Sequence, residues 1–276
     1  MQAVHTVKDI REALASAGTI GLVPTMGALH AGHEKLIETA RPECDSLVVS
    51  IFVNPLQFGP SEDYSRYPRT LSDDLEICRQ HAVDFVFAPS NDEMYRTPQF
   101  TFVDVTRVSE HLCGKFRPGH FRAVATVVMK LFNIVRPDYA FFGEKDMQQL
   151  AVIRRMVEDL NFPVRIVGVP TVRESDGLAM SSRNKYLKPE ERKAAPILYG
   201  VLQHAASRIA SGERDGAKVR QHALDQFAAS PLIRVDYLEI VDPIELQPVT
   251  DIRGPVRIAG AIWLGTTRLI DNVTAE

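Results

Sequence analysis

Thr19-Ile20-Gly21-Leu22-Val23-Pro24-Thr25-Met26-Gly27-Ala28-Leu29-His30-Ala31-Gly32-His33 runs an apolar, β-branched segment straight into a turn and then into a helical pattern. Residues 19–23 read as a strand, and residues 31–40 read as the helix that follows it. Working outward, residues 46–53 form a second strand. Leu47, Val48, Val49, Ile51, Phe52 and Val53 leave it little polar face, the mark of a strand buried on both sides. Helical patterns at 71–81, 122–135 and 147–160 alternate with strand-like runs at 84–88, 139–142 and 164–169. Strands alternating with helices of this length imply βαβ units. The fold expected is α/β, a Rossmann-like doubly wound parallel sheet whose ligands bind at the carboxyl ends of the strands.

After residue 172 the character changes. Two helical stretches, 189–210 and 217–228, precede strand-like runs at 235–241, 256–264 and 268–270. This predicts a smaller α+β C-terminal domain over 173–276, acting as a lid, after a nucleotide- and substrate-binding domain over 1–172. The chain has 276 residues, 45% of them hydrophobic and 24% charged, which is ordinary for a globular protein of two domains. A formal net charge of -3, with no polybasic cluster, argues against a nucleic-acid or membrane-surface partner. No apolar run approaches the length of a membrane span. Three cysteines, Cys44, Cys78 and Cys113, are odd in number and match no metal or redox spacing, so they read as reduced thiols of a cytoplasmic protein.

Six polar motifs sit at strand ends or at the domain junction. In the first, Pro24-Thr25-Met26-Gly27-Ala28-Leu29-His30-Ala31-Gly32-His33, a new helix offers free backbone N–H groups and its positive dipole end, which favour phosphate. His30 and His33 are three apart and share a face; they suit charge stabilisation at a phosphate, although His30 also reads as a helix cap. Gly32 lets a nucleotide approach the backbone. The second motif, Asn54-Pro55-Leu56-Gln57, places two amides where a buried strand ends. Each amide carries donors and acceptors for a hydroxyl or a carboxylate. The third, Tyr67-Pro68-Arg69-Thr70-Leu71-Ser72-Asp73-Asp74, combines a helix N-cap with carboxylates that would suit Mg²⁺ beside a triphosphate. The fourth, Phe116-Arg117-Pro118-Gly119-His120-Phe121, puts Arg117 in a loop, available to phosphate or carboxylate. The fifth, Gly143-Glu144-Lys145-Asp146-Met147-Gln148-Gln149, sets a mobile cation and a ribose acceptor at a helix start, with Gln149 one turn further on. The sixth, Thr171-Val172-Arg173, continues to Met180-Ser181-Ser182-Arg183-Asn184, a polar loop at the domain junction suited to a hinge that carries phosphate ligands.

His-x-Gly-His after a strand resembles the nucleotidyltransferase superfamily. The longer string with Pro-Thr-Met-Gly-Ala-Leu, and the motifs that follow it in order to Asn184, resemble the pantothenate synthetases. The resemblance extends to Gly265–Asn272, and departs at Cys113-Gly114, where family members usually carry Glu-Gly. It implies an ATP-dependent, AMP-forming ligase that condenses pantoate with β-alanine through a pantoyl adenylate, in the biosynthesis of pantothenate and coenzyme A. It implies catalytic roles for His33, His30, Lys145 and Arg183. ATP contacts fall to Pro24, Thr25, Met26, Gly27, His30, Gly32, His33, Gly143, Lys145, Asp146, Val172, Met180, Ser181, Ser182 and Arg183. Substrate contacts fall to Gln57, Gln149, Asn54, Met26 and Arg117, and a Mg²⁺ contact to Asp73. Pantoate, β-alanine and ATP are the partners it implies, together with a homodimer.

Overall fold

The computed structural model describes residues 1–60, 62–95 and 98–276. The chain divides into two compact units. The first comprises residues 1–105, 117–144 and 152–170; the second comprises 106–116, 145–151 and 171–276. The second unit thus takes in two stretches that precede residue 172. Hydrogen bonds explain their grouping. Gln148 Nε2 donates to the carbonyls of Val108 (3.0 Å) and His111 (2.7 Å). Gln247 Nε2 donates to the carbonyl of Arg107 (3.3 Å), and Asn272 Nδ2 to that of Lys145 (3.1 Å).

The first unit holds six parallel strands: β1 (Gln2–Val4), β2 (Ile20–Thr25), β3 (Ser46–Ile51), β4 (Phe85–Phe87), β5 (Tyr139–Gly143) and β6 (Arg165–Val169). Their order is β1-β4-β3-β2-β5-β6. The helices of this half of the sequence are α1 (Val7–Ala13), α2 (Ala31–Ala40), α3 (Leu71–Gln80), the short α4 (Asn91–Met94) and α5 (Cys113–Phe116), α6 (His120–Val135) and α7 (Met147–Asp159). Strand order reverses at β2, which pairs with β3 on one side and β5 on the other. That reversal is the switch point where a doubly wound sheet opens a crevice at its carboxyl edge. Val23, Leu47, Val49, Val86 and Phe141 pack with Leu36 and Ile37 of α2 and Cys78 of α3. Leu22, Val48 and Phe87 are as deeply buried, and strand alternation turns them to the opposite face, the side of α1 and α6. Both faces are therefore covered, as the near-continuous apolar strands require. The α/β, doubly wound expectation holds.

The second unit contains an antiparallel sheet, β7 (Ile233–Val241), β8 (Val256–Leu264) and β9 (Thr267–Ala275), in that order. It also contains α8 (Pro189–Ala194), α9 (Ile197–Ala210) and α10 (Gly216–Phe227). Leu198, Val201, Leu202, Ala205 and Ile209 form the buried stripe of α9, at helical spacing, and meet Val219 and Phe227 of α10 and Ile258 and Ile262 of β8 in one core. A Cβ on Gly260 would lie 2.9 Å from Leu198 Cδ1, so glycine allows α9 to seat closely on β8. The single helix expected over 189–210 is two, because Pro196 has no N–H to continue the ladder. Among the described residues no helix is long and apolar enough to cross a membrane.

Candidate active site

The turn from β2 into α2 is built under constraint. Gly27 and Ala28 have φ of +80° and +52°, the left-handed region that side chains disfavour. Asp74, on the first turn of α3 and 1% exposed, holds that conformation. Its Oδ2 accepts from Ala28 N (3.0 Å) and its Oδ1 from Leu29 N (2.8 Å), while Thr70 Oγ1 adds a 3.3 Å bond to Oδ1. A Cβ on Gly27 would come within 2.9 Å of Asp74 Oδ2, so glycine is required there for space as well as for φ. Thr25 Oγ1 ties the same turn to the neighbouring strand, donating to Ser50 O (2.8 Å) and accepting from Gly27 N (3.1 Å).

His30 is both the helix cap and the expected site residue. Its Nδ1 accepts from Gly32 N at 3.1 Å, satisfying one of the free N–H groups of α2. An accepting Nδ1 carries no proton, so the neutral ring bears its proton on Nε2 and offers that nitrogen as a donor. The ring of His33 stands beside it, with centroids 4.1 Å apart and planes at 39°. Two imidazoles and a helix N-terminus thus converge at the carboxyl edge of β2, next to the switch point, where an anion is stabilised by donors already in place. Gly143 ends β5 on the other side of that switch point. A Cβ built on it meets no atom within 4 Å. Met26 and Gly27, with Phe52, Arg69 and Asp74, line a cavity of about 280 Å³; His30, His33 and Gln57 are not among its walls.

At the end of β3, Asn54 and Gln57 are buried and bonded to each other. Asn54 caps the turn that follows, its Oδ1 accepting from Leu56 N (3.2 Å). Arg117 is engaged within the protein. Its Nε and one terminal nitrogen grip Glu62 (2.8 and 2.5 Å), and that nitrogen also donates to Gln57 O (3.1 Å). His120 Nδ1 donates to the same carbonyl (3.0 Å), which leaves Nε2 to accept from Arg117 (3.1 Å). Burial pushes the Glu62 carboxyl up, but hydrogen bonds and charge from Arg117 outweigh it and hold Glu62 below the usual carboxylate range.

In the second unit, Lys145 Nζ lies 3.8 Å from Asp146. The two amides that follow part company: Gln148 is buried and commits its nitrogen to two carbonyls, whereas Gln149 is half-buried. Residues 172–180 fold back on themselves through Met180 N to Val172 O (2.9 Å) and Glu174 N to Leu178 O (2.8 Å). Ser181 then caps a helical turn that carries Ser182 and Arg183, its Oγ accepting from Arg183 N (3.3 Å). Arg173 anchors this loop. It forks onto Asp271 (2.6 and 2.9 Å), donates to Gly177 O (3.1 Å) and lies 3.6 Å over the Tyr199 ring. Arg192 ties down Asp176 and Glu174, each at 2.6 Å, and its hydrogen bond lowers the Asp176 carboxyl below its ordinary value.

The adjacent carboxylates of α3 separate cleanly. Asp73 is exposed on the first turn, beside Ser72 Oγ at 3.5 Å, while Asp74 points inward. Sequence reading missed Asp74 as the clamp on the His30 turn, and missed Tyr95, whose phenol donates to Asn54 Oδ1 at 2.9 Å. A helical signal for Asp74 was present, since it lies one turn before the buried Cys78. Tyr95 is 41 residues from its partner and had no local signal.

A doubly wound parallel sheet with paired imidazoles on a helix N-terminus at its switch point defines an α/β protein built to hold an anionic ligand there. A family model described as pantoate-beta-alanine ligase matches residues 2–274. The pantothenate synthetase of Pelotomaculum thermopropionicum is 55% identical, covering 99% of this chain and 98% of its own. That of Heliobacterium modesticaldum is also 55% identical, covering both chains fully. The crystal structure of pantothenate synthetase from Thermus thermophilus superposes with a TM-score of 0.95 at 49% identity, over 99% of each chain. The pantoate-beta-alanine ligase of Francisella tularensis, complexed with beta-gamma ATP and β-alanine, has a TM-score of 0.81 at 33% identity, over 99% of this chain and 97% of its own. The chain belongs to the pantoate–β-alanine ligase family, as its motifs led us to expect.

Proposed function

We propose that this chain condenses pantoate with β-alanine using ATP, forming pantothenate, AMP and pyrophosphate. The carboxylate of pantoate attacks the α-phosphorus of ATP; a P–O bond forms and the bond to the β-phosphate breaks, releasing pyrophosphate. The amine of β-alanine then attacks the acyl carbon, the C–O bond to AMP breaks, and the nitrogen loses a proton as the amide forms. Placement and charge stabilisation carry both steps, without a covalent nucleophile from the protein. The observation that carries this reading is the paired imidazoles of His30 and His33 on the N-terminus of α2, within a family match spanning nearly the whole chain.

In this reading His33 and His30 stabilise charge on the phosphates, with Pro24, Thr25, Met26, Gly27, Gly32 and Gly143 against the nucleotide. Lys145, Ser181, Ser182 and Arg183 clamp the charge of the triphosphate. Asp146, Val172 and Met180 contact the nucleoside. Gln57 and Gln149 hold pantoate, and Asn54 supports Gln57. Arg117, gripped by Glu62, acts on the substrate through the Gln57 loop it braces. Mg²⁺ arrives with ATP. Among the described residues there is no cluster of three or more His, Cys, Asp or Glu side chains able to hold a metal, and one exposed carboxylate, Asp73, suits an ion held mainly by phosphate oxygens and water. The working form is a cytoplasmic homodimer, which light scattering tests directly.

The test of function is pantoate-dependent ATP–pyrophosphate exchange with Mg²⁺, without β-alanine, followed by β-alanine addition. Exchange that requires pantoate, then amide and AMP, is the expected result. Tight ATP binding without exchange would overturn the reading.

A further inference from the structure

Asn54 is fully buried, and every bonding position of its amide is filled. Two of its partners are backbone groups of fixed polarity. Leu56 N–H (3.2 Å) can be met only by the amide oxygen, and Ala123 C=O (3.4 Å) only by the amide nitrogen. The orientation of Asn54 therefore follows from the backbone, independently of how its two similar terminal atoms are assigned. The second lone pair of Oδ1 takes the Tyr95 phenol at 2.9 Å. The second hydrogen of Nδ2 goes to Gln57 at 2.9 Å, and it must meet Oε1, because the reverse orientation would set two NH₂ groups face to face. Gln57 is pinned at its backbone too, where Arg117 and His120 hold its carbonyl (3.1 and 3.0 Å).

We propose that Tyr95 is a positioning residue for the acid substrate: phenol, Asn54 amide and Gln57 amide form a one-way donor chain that leaves Gln57 to present its Nε2, a donor, to an oxygen of that substrate. The proposal rests on the reading of Gln57 as a pantoate contact and adds which end of the amide faces it. A donor end attracts a carboxylate or hydroxyl oxygen, and an acceptor end would repel a carboxylate. The Tyr95 ring is seated against Phe52 (centroids 5.9 Å apart) and under Lys130 Nζ (5.6 Å). Burial pushes the ionisation of the phenol well above its ordinary value, with the Asn54 bond opposing that only in part, so the hydroxyl remains a donor at working pH.

The test compares Tyr95→Phe, Gln57→Ala and the double variant by steady-state kinetics, with thermal melts of each. Tyr95→Phe keeps the ring and removes the donor. We expect the KM for pantoate to rise about fivefold, with kcat and the KM for ATP nearly unchanged, as the loss of one hydrogen bond predicts. Gln57→Ala should raise the same KM further, and adding Tyr95→Phe to it should then change nothing. A full Tyr95→Phe effect in the Gln57→Ala background would overturn the relay. So would a Tyr95→Phe enzyme that melts early yet keeps the wild-type pantoate KM, since that assigns the phenol to packing. A Gln57→Ala enzyme with unaltered pantoate KM would instead remove Gln57 from the substrate site, and the relay with it.

Discussion

Replacing Asp74 by Asn should cripple a turn that Asp74 never enters. In the native protein its carboxylate accepts two buried backbone N–H groups, those of Ala28 at 3.0 Å and Leu29 at 2.8 Å. A hydrogen bond to a charged acceptor contributes about 1.5–3 kcal/mol, and a buried donor left unmet costs about 1–3 kcal/mol. Asn keeps one accepting oxygen and turns an NH₂ toward the other N–H, so one bond is lost and two donors oppose each other. The net loss is about 2–4 kcal/mol. Against it stands the left-handed conformation of Ala28 (φ +52°), which costs an alanine about 1–2 kcal/mol. The restraint removed exceeds the strain it held, so the turn should relax and carry His30 and His33 with it. A displacement of about 1 Å in a catalytic group costs on the order of 10²-fold in rate.

The assay is pantoate-dependent ATP–pyrophosphate exchange paired with a thermal melt. We expect exchange to fall by about 10²-fold and Tm by roughly 4–16 °C, at about 2–4 °C per kcal/mol for a unit of this size. Thr70→Val, which deletes only the 3.3 Å bond to the same carboxylate, should behave almost as wild type. Ala28→Gly offers a rescue. It removes the left-handed penalty, so it should restore part of the activity of Asp74→Asn while changing little in the native background. Wild-type exchange and an unchanged melt in Asp74→Asn would refute the reasoning, and so would a rescue variant that gains nothing.

Other expectations follow from single observations. His33→Ala should lower kcat by about 10²-fold or more with its melt preserved, because it removes charge stabilisation from the exposed end of a helix that His30 still caps; unchanged turnover would exclude His33. Glu62 is held below its ordinary 4.5, so its ion pair with Arg117 stabilises the fold fully above that pH and is lost as pH falls through the depressed value. Glu62→Gln should therefore cost about 1–3 kcal/mol at neutral pH and abolish this part of the acid dependence, as melts from pH 7 to 3 would reveal. Burial, with the nearby Asp74 charge, pushes the Cys78 thiol up to about 12, so iodoacetamide at pH 8 should leave Cys78 unmodified until the protein unfolds. Arg173→Lys should destabilise the second unit by about 2–4 kcal/mol, since an ammonium cannot fork onto Asp271 or stack on Tyr199; a melt within a degree of wild type would show the pair to be dispensable.

Much of the fold was legible because its strands are apolar and its helices periodic. Leu47, Val48 and Val49 announce a strand buried on both faces, and β8 has the bounds its apolar run suggested. Elements escaped where local pattern was too short or was broken by residues whose partners lie elsewhere. β1 has three residues, of which Val4 alone is buried. β9 was read as ending at Ile270, yet it runs to Ala275 through Asp271 and Asn272, both buried. Those two look like a strand end only until Arg173 neutralises one and Arg257 (3.1 Å) bonds the other.

The site divides by the same principle. His30 and His33 stand together because the helix that aligns them is local: Nδ1 of His30 caps α2, and the His33 ring lies one turn on beside it. The paired carboxylates show the limit. Neighbours on a helix point about 100° apart, so one of Asp73 and Asp74 must turn inward, and composition alone does not say which. Position does: Cys78 is buried, and the residue one turn before it lies on the same stripe. Read that way, Asp74 is excluded as an exposed metal ligand and becomes a buried acceptor in need of donors. The donors nearest at hand are the N–H groups of a turn whose positive φ values need an outside restraint. Asp73, the neighbour that faces solvent, makes none of these bonds to the turn.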